Sequence, residues 1–160
     1  MKAILSALLL ALAAACSATV AGTPAPREPI SITLERTPCF GFCPDYAVTI
    51  TGDGAVTYNG RRFVRVTGEQ HATASPEDVA HLVELIRRAD FFNLKDRYEA
   101  QVTDLPSARI TVVQGDRRKA VLDYAGEHVG MPHAVTEIEQ EIDRVAGTAR
   151  WVPGGRPEAR

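Results

Sequence analysis

The most restrictive feature of the sequence is where its turns fall. Gly52-Asp53-Gly54 separates Tyr46, Val48 and Ile50, which alternate with polar neighbours, from a β-rich run over residues 55–58. A period of two marks a half-buried strand, and links this short join strands as antiparallel hairpins, because a parallel crossover needs a dozen or more residues. Asn59-Gly60, followed by Phe63, Val64 and Val66, predicts a further hairpin into a fourth strand. Ile30, Ile32 and Leu34 alternate in the same way upstream, so the first half of the chain reads as an antiparallel meander. Gly115-Asp116 between residues 108–113 and 120–124 predicts a second hairpin later in the chain.

Two helices separate and follow these strands. Ser75-Pro76-Glu77-Asp78 supplies a capping hydroxyl, a proline at the first helical position and acids at the positive end of the dipole. Val79, Leu82, Val83, Ile86 and Ala89 then recur at helical spacing, and Phe91, Phe92 and Leu94 close the helix with large groups suited to plugging a core edge. A final helix from about Pro132 places Val135, Ile138, Ile142 and Val145 on one side and Glu137, Glu139, Gln140 and Glu141 elsewhere, with Gly147 as its stop. The expected fold class is α+β: an antiparallel sheet, made of a strand meander plus a second hairpin, with two helices packed on one face. Residues 30–152 are enough for one domain with its own core.

The two ends carry a different signal. Lys2 precedes an apolar run from Ala3 to Ala15 broken by Ser6, and small residues lead to Cys16. Charge, apolar core and small-residue exit are the parts of a signal peptide, here residues 1–15, and the run is shorter than the roughly 20 residues a membrane span requires. Ala13-Ala14-Ala15-Cys16 resembles the lipobox of bacterial lipoproteins, although Ala13 stands where leucine is favoured; cleavage after Ala15, Ala18 or Ala21 is the alternative. The chain has three cysteines, and lipidation of Cys16 removes the odd one from an oxidising compartment. The expectation is an exported protein on the periplasmic side of a bacterial envelope, anchored by lipid at Cys16 or otherwise soluble periplasmic or secreted. Residues 16–29 read as a flexible tether and 153–160 as a disordered tail.

Cys39 and Cys43 then form the remaining pair, in Thr37-Pro38-Cys39-Phe40-Gly41-Phe42-Cys43-Pro44. A disulfide is the expected state in that compartment. A redox-active dithiol and a thiolate site for Cu(I) are the alternatives; both gain from a helix N-terminus that depresses thiol pKa, whereas here a strand pattern follows. Thr37-Pro38-Cys39, Gly41, Cys43-Pro44, Tyr46 and Ile50 resemble the TPCxGxCPxY signature of a bacterial family of secreted and lipoprotein domains of unknown function. The similarity continues through Gly52-Asp53-Gly54, Phe91-Phe92, Thr103-Asp104-Leu105-Pro106 and Asp123-Tyr124. It implies a single α+β domain in the bacterial envelope and transfers no activity.

Nothing else in the sequence assembles a reaction centre. A net charge of −2 with mixed signs argues against nucleic acid as a partner, and the basic clusters Arg61-Arg62 with Arg65 and Arg117-Arg118-Lys119 fall beside predicted turns. Asp104 is a turn former or a carboxylate presented beside the cysteine turn. His71, His81, His128 and His133 lack the single-face spacing of a zinc motif, and no nucleophile elbow or phosphate-cradling loop is present. No catalytic residue, metal ligand or cofactor is therefore assigned. The leading expectation is a non-enzymatic envelope module that binds another protein or an envelope component through a loop containing Phe40, Phe42, Tyr46 and Asp104. Thiol redox or copper binding at Cys39 and Cys43, and inhibition of a secreted enzyme, are the alternatives.

Overall fold

The computed structural model describes residues 28–153. The signal segment, Cys16, most of the tether and the tail beyond Pro153 lie outside the described residues.

Seven strands, β1 (Ile30–Arg36), β2 (Asp45–Thr51), β3 (Ala55–Arg62), β4 (Gly68–Thr73), β5 (Arg97–Glu99), β6 (Ala108–Gln114) and β7 (Arg117–Tyr124), form one sheet in the order β4-β3-β2-β1-β6-β7-β5. All neighbours are antiparallel except β5, which runs parallel to β7. Helices α1 (Pro76–Arg88) and α2 (His133–Ala146) complete an α+β domain. Alternation decides which face they cover: Ile32 and Leu34, Val48 and Ile50, Val56 and Tyr58, and Ile110 and Val112 are all buried on one side of the sheet. Against them pack Val79, Leu82 and Ile86 of α1 and Val135, Ile138 and Ile142 of α2. Burying two or three aliphatic side chains per element at roughly 1.5–3 kcal/mol each offsets the ordering of short strands and short helices.

The local stops follow the sequence. Ser75 caps α1 by accepting from the Asp78 amide at 3.1 Å, and Gly147 ends α2 in the left-handed conformation. One expected turn does not form. Asn59 and Gly60 lie inside β3, paired with Glu69 and Gly68, and the chain reverses at residues 63–67 instead. Phe63, at φ 56°, begins that reversal, so Phe63, Val64 and Val66 belong to the connection and not to a strand. Gly60 is needed for room: the Val66 carbonyl and the Tyr58 ring occupy the space a side chain would take. The Val66 carbonyl accepts from the Tyr58 hydroxyl at 3.3 Å, and the Arg65 and Val66 amides donate to the Trp151 carbonyl. Trp151 in turn stacks on Tyr58 with centroids 4.7 Å apart. No described helix is long and apolar enough to cross a membrane.

Candidate functional site

The registers bring four connections to one end of the sheet. Arg36 pairs with Tyr46 and with Ala108, Asp45 with Arg62, Ala108 with Asp123, and Glu99 with Tyr124. The cysteine loop between β1 and β2, the β3–β4 turn, the β5–β6 segment and the β7–α2 connection therefore emerge side by side. Glu28 and Pro29 lead into β1 at the other end, where a cleft of about 950 Å³ opens between α1 and the strand ends around Ile30, Val79, Val83 and Val113. Its charged lining is Glu28, Asp53 and Glu84, and among the described residues no three such groups are placed to hold a metal ion.

The cysteine loop is held from both sides. Cys39 and Cys43 are bonded to each other with Cα atoms 5.5 Å apart, a short clamp across the tip. At its base the Thr37 amide donates to the Ser107 carbonyl at 3.0 Å, and the Ser107 amide returns a bond to the Thr37 hydroxyl at 2.9 Å. The Phe40 amide donates to the carbonyl of Asp104 at 3.2 Å. Asp104 thus lies beside the cysteine turn, and it touches Phe40 through its backbone in the left-handed conformation, while its carboxylate accepts from Thr103. The Tyr124 hydroxyl holds the same segment by donating to the Val102 carbonyl at 3.0 Å.

Clamped in this way, the loop turns its aromatic side chains outward. Phe40 is 89 % exposed and Phe42 73 % exposed. Phe42 meets Phe63 of the β3–β4 turn edge to face, with centroids 5.4 Å apart. Val102, Leu105 and Val129 complete the set, so every exposed large hydrophobic among the described residues lies in the four loops at this end. Arg61 and Arg62 both approach the buried carboxylate of Asp45, at 2.5 and 3.7 Å, and Arg65 has no carboxylate within 4 Å among the described residues. The Arg62 guanidinium also lies over the Phe63 ring, 5.8 Å from its centroid.

Tyr46 is elsewhere. It is buried at the start of β2, and its hydroxyl donates to Asp143 of α2 at 2.6 Å, so it supports the loop from beneath and does not share its surface. Asp143 also accepts from Arg36 at 2.9 Å and from the Thr148 hydroxyl at 2.9 Å. Arg36 reaches Glu139 as well, at 3.3 Å. Glu139, expected away from the buried stripe of α2, is 5 % exposed, and its second oxygen has no partner. Burial pushes its carboxyl up to about 7; the negative charges of Asp123 and Asp143 add to that, and Arg36 opposes it. The Tyr46 hydroxyl is likewise held well above its ordinary range, first by burial and then by Asp143.

Arg36, Glu139 and Asp143 carry no motif, but their positions are readable. Arg36 follows Ile32 and Leu34 at a spacing of two, hence the core face. Glu139 lies four residues after Val135 and three before Ile142, inside the helical stripe. The network ties the end of β1 and the start of β2, the two roots of the cysteine loop, to α2.

The remaining candidates stay apart. His71 is beside Glu69 on β4, His81 faces Glu141 across the helices and His133 faces Glu137 within α2. Among the described residues no group of three or more His, Cys, Asp or Glu side chains could hold a metal. The bridged cysteines lie in the loop between β1 and β2, and neither of them begins a helix.

A comparison of the sequence with curated proteins finds no match. A family model does match, over residues 30–146, which spans both helices and all seven strands. The chain therefore belongs to the family described as a domain of unknown function, DUF6438.

Proposed function

We propose that this protein is a non-enzymatic binding module of the bacterial envelope. It recognises another protein or envelope component through the loop end of its sheet. One observation carries this reading: the exposed large hydrophobics collect in four adjoining loops at one end, with Phe40 and Phe42 on a clamped tip. Apolar side chains scattered singly need no explanation, whereas a gathered patch rimmed by polar groups marks an interaction site. Holding the aromatics on a bridged loop lowers the ordering cost of binding.

The proposed export signal and lipid on Cys16 give this orientation a use. A tether entering at Glu28 meets the sheet at the opposite end, about 20 Å of strand from the aromatic tip, so an anchored domain presents Phe40 and Phe42 away from its attachment. Inhibition of a secreted enzyme is the narrower form of the same reading.

The test is photocrosslinking in cells that express the full chain, with a photoreactive amino acid at Phe42. A discrete adduct that disappears with Phe40→Ser is expected. The same label at Ala80 on exposed α1 serves as control, and adducts no different from that control would overturn the reading. Labelling with a palmitate analogue, compared with Cys16→Ala, tests the anchor; an unlabelled wild-type chain removes it.

A further inference from the structure

The sheet has two edge strands, and they are protected unequally. β5 is three residues long, and so short an edge offers little for another chain to pair with. β4, at the other edge, is a regular six-residue strand, Gly68-Glu69-Gln70-His71-Ala72-Thr73, which runs against β3 without a register shift. It carries no lysine, proline or bulge, the devices that ordinarily blunt an edge. Its ladder with β3 decides which backbone groups are left over. The Ala74 amide donates to the Gly54 carbonyl at 2.9 Å, so, by the alternation of an antiparallel pair, Ala72 and Gln70 also turn their amides and carbonyls toward β3. Those of Glu69, His71 and Thr73 point outward, and among the described residues none has a backbone partner on that side. The Gln70 side chain does reach the Glu69 carbonyl, donating at 2.6 Å in a contact at the surface.

We propose that β4 pairs with β4 of a second copy, joining two sheets edge to edge about a two-fold axis. Such pairing, about an axis normal to the sheet, is antiparallel, and only registers that oppose outward-facing residues can form the ladder. With Glu69 opposite Glu69, two carboxylates meet; with His71 opposite His71, two imidazoles meet, and like charges directly opposite are destabilising. The register between these sets Glu69 of each copy opposite His71 of the other and brings Gln70 opposite Gln70 on the axis. An imidazole N–H donates to a carboxylate whether or not the ring is charged, so the edge is complementary to itself at both positions. The same two side chains already meet within one chain at 3.1 Å, and both are more than half exposed. Each Glu69–His71 pair exchanges two backbone hydrogen bonds, one from each strand. The only edges left on the pair of sheets are the two short β5 strands, so association closes at two copies. The two-fold turns the aromatic loop ends in opposite directions and leaves both free.

Six residues a side make a small contact of the weak, reversible class, so it is read by disulfide trapping. Gln70 faces itself in a pair without mutual hydrogen bonds, where Cα atoms lie about 4.5 Å apart, within the range of a disulfide. Protein purified from cells expressing the full chain, as Glu69→Cys, Gln70→Cys or His71→Cys, is oxidised with diamide, with wild type and Ala80→Cys on exposed α1 as controls. A covalent dimer forming fastest in Gln70→Cys is expected. A rate no greater than that of Ala80→Cys overturns the pairing, and faster trapping at position 69 or 71 overturns the register. Added to Gln70→Cys, His71→Glu sets two acids against each other and should slow trapping about five-fold or more, while the exchange Glu69→His with His71→Glu should restore it. Trapping indifferent to both changes rejects the charge-matched edge. Amide hydrogen exchange of the wild type needs no folded variant: the Glu69 and His71 amides, open to water in one copy, should exchange more slowly as protein concentration rises. Exchange independent of concentration counts against the dimer.

Discussion

Glu139 places one carboxyl oxygen on Arg36 and leaves the other without a partner, in the field of two further acids, Asp123 and Asp143. The folded chain favours its protonated form, since burial raises it from the ordinary value of 4.5 to about 7. A carboxyl raised on folding contributes stability that is present in full below the unfolded value and is lost as pH rises through the folded one. Lowering the pH from 8 to 5 should therefore stabilise the fold through this group, by on the order of 3 kcal/mol. Glu139→Gln, neutral at every pH, should melt higher than the wild type at pH 8 and flatten the dependence. An unchanged pH profile of melting would show that Glu139 is already ionised at no cost. Gly60 is the second residue that decides locally: Gly60→Ala drives a methyl toward the Val66 carbonyl and should cost about 2–3 kcal/mol in denaturant unfolding. A loss below about 0.5 kcal/mol would mean that the 63–67 turn yields freely.

At the scale of elements, hydrophobic spacing and turn chemistry locate most of the fold. The Ser75 cap, the Gly147 stop and the Gly115-Asp116 hairpin form where the residues predict them. Asn59-Gly60 misleads because two causes ask for the same residue: a glycine can turn a chain, or leave space for one passing over it, and the deciding Val66 carbonyl arrives from later in the chain. β5 has no legible signal. Its Arg97-Tyr98-Glu99 run is a strand only because β7 is there to pair with it in parallel. The site divides in the same way. The cysteine loop, Phe40 and Phe42 are readable from spacing, while the contributions of Phe63, Val102 and Leu105 depend on strand register. The clamp itself closes a very short loop, worth about 2 kcal/mol by chain entropy. Cys39→Ser with Cys43→Ser should therefore leave a folded domain, destabilised by about that amount in denaturant titration. A global loss of cooperative unfolding would show that the bridge secures more than its own loop.

At the scale of the molecule, the two ends and the two faces of the sheet have separate tasks. The helix face holds the core, the other face is free of helices, the loop end carries the exposed aromatics and the opposite end receives the chain. Phe40→Ser with Phe42→Ser should change unfolding free energy by no more than about 0.5 kcal/mol, because both rings are solvated in the free domain, while abolishing the expected crosslinks. A large stability loss would reassign the rings to the core.

The strand order has one consequence for the life of the chain before it is folded. β1 lies in the middle of the sheet, yet only one of its neighbours, β2, is made soon after it; the other, β6, begins more than seventy residues later. Until β6 emerges, the nascent meander offers the open hydrogen-bonding edge of β1, with Ile30, Ile32 and Leu34, to any chain nearby. Closure of such a distant pair is slow compared with hairpin formation, so the interval is set by synthesis and loop closure together. A chain kept unfolded until it has crossed a membrane would pass through that interval after its last strand is already present. On this topology, the export proposed above would protect the sheet from its own order of assembly.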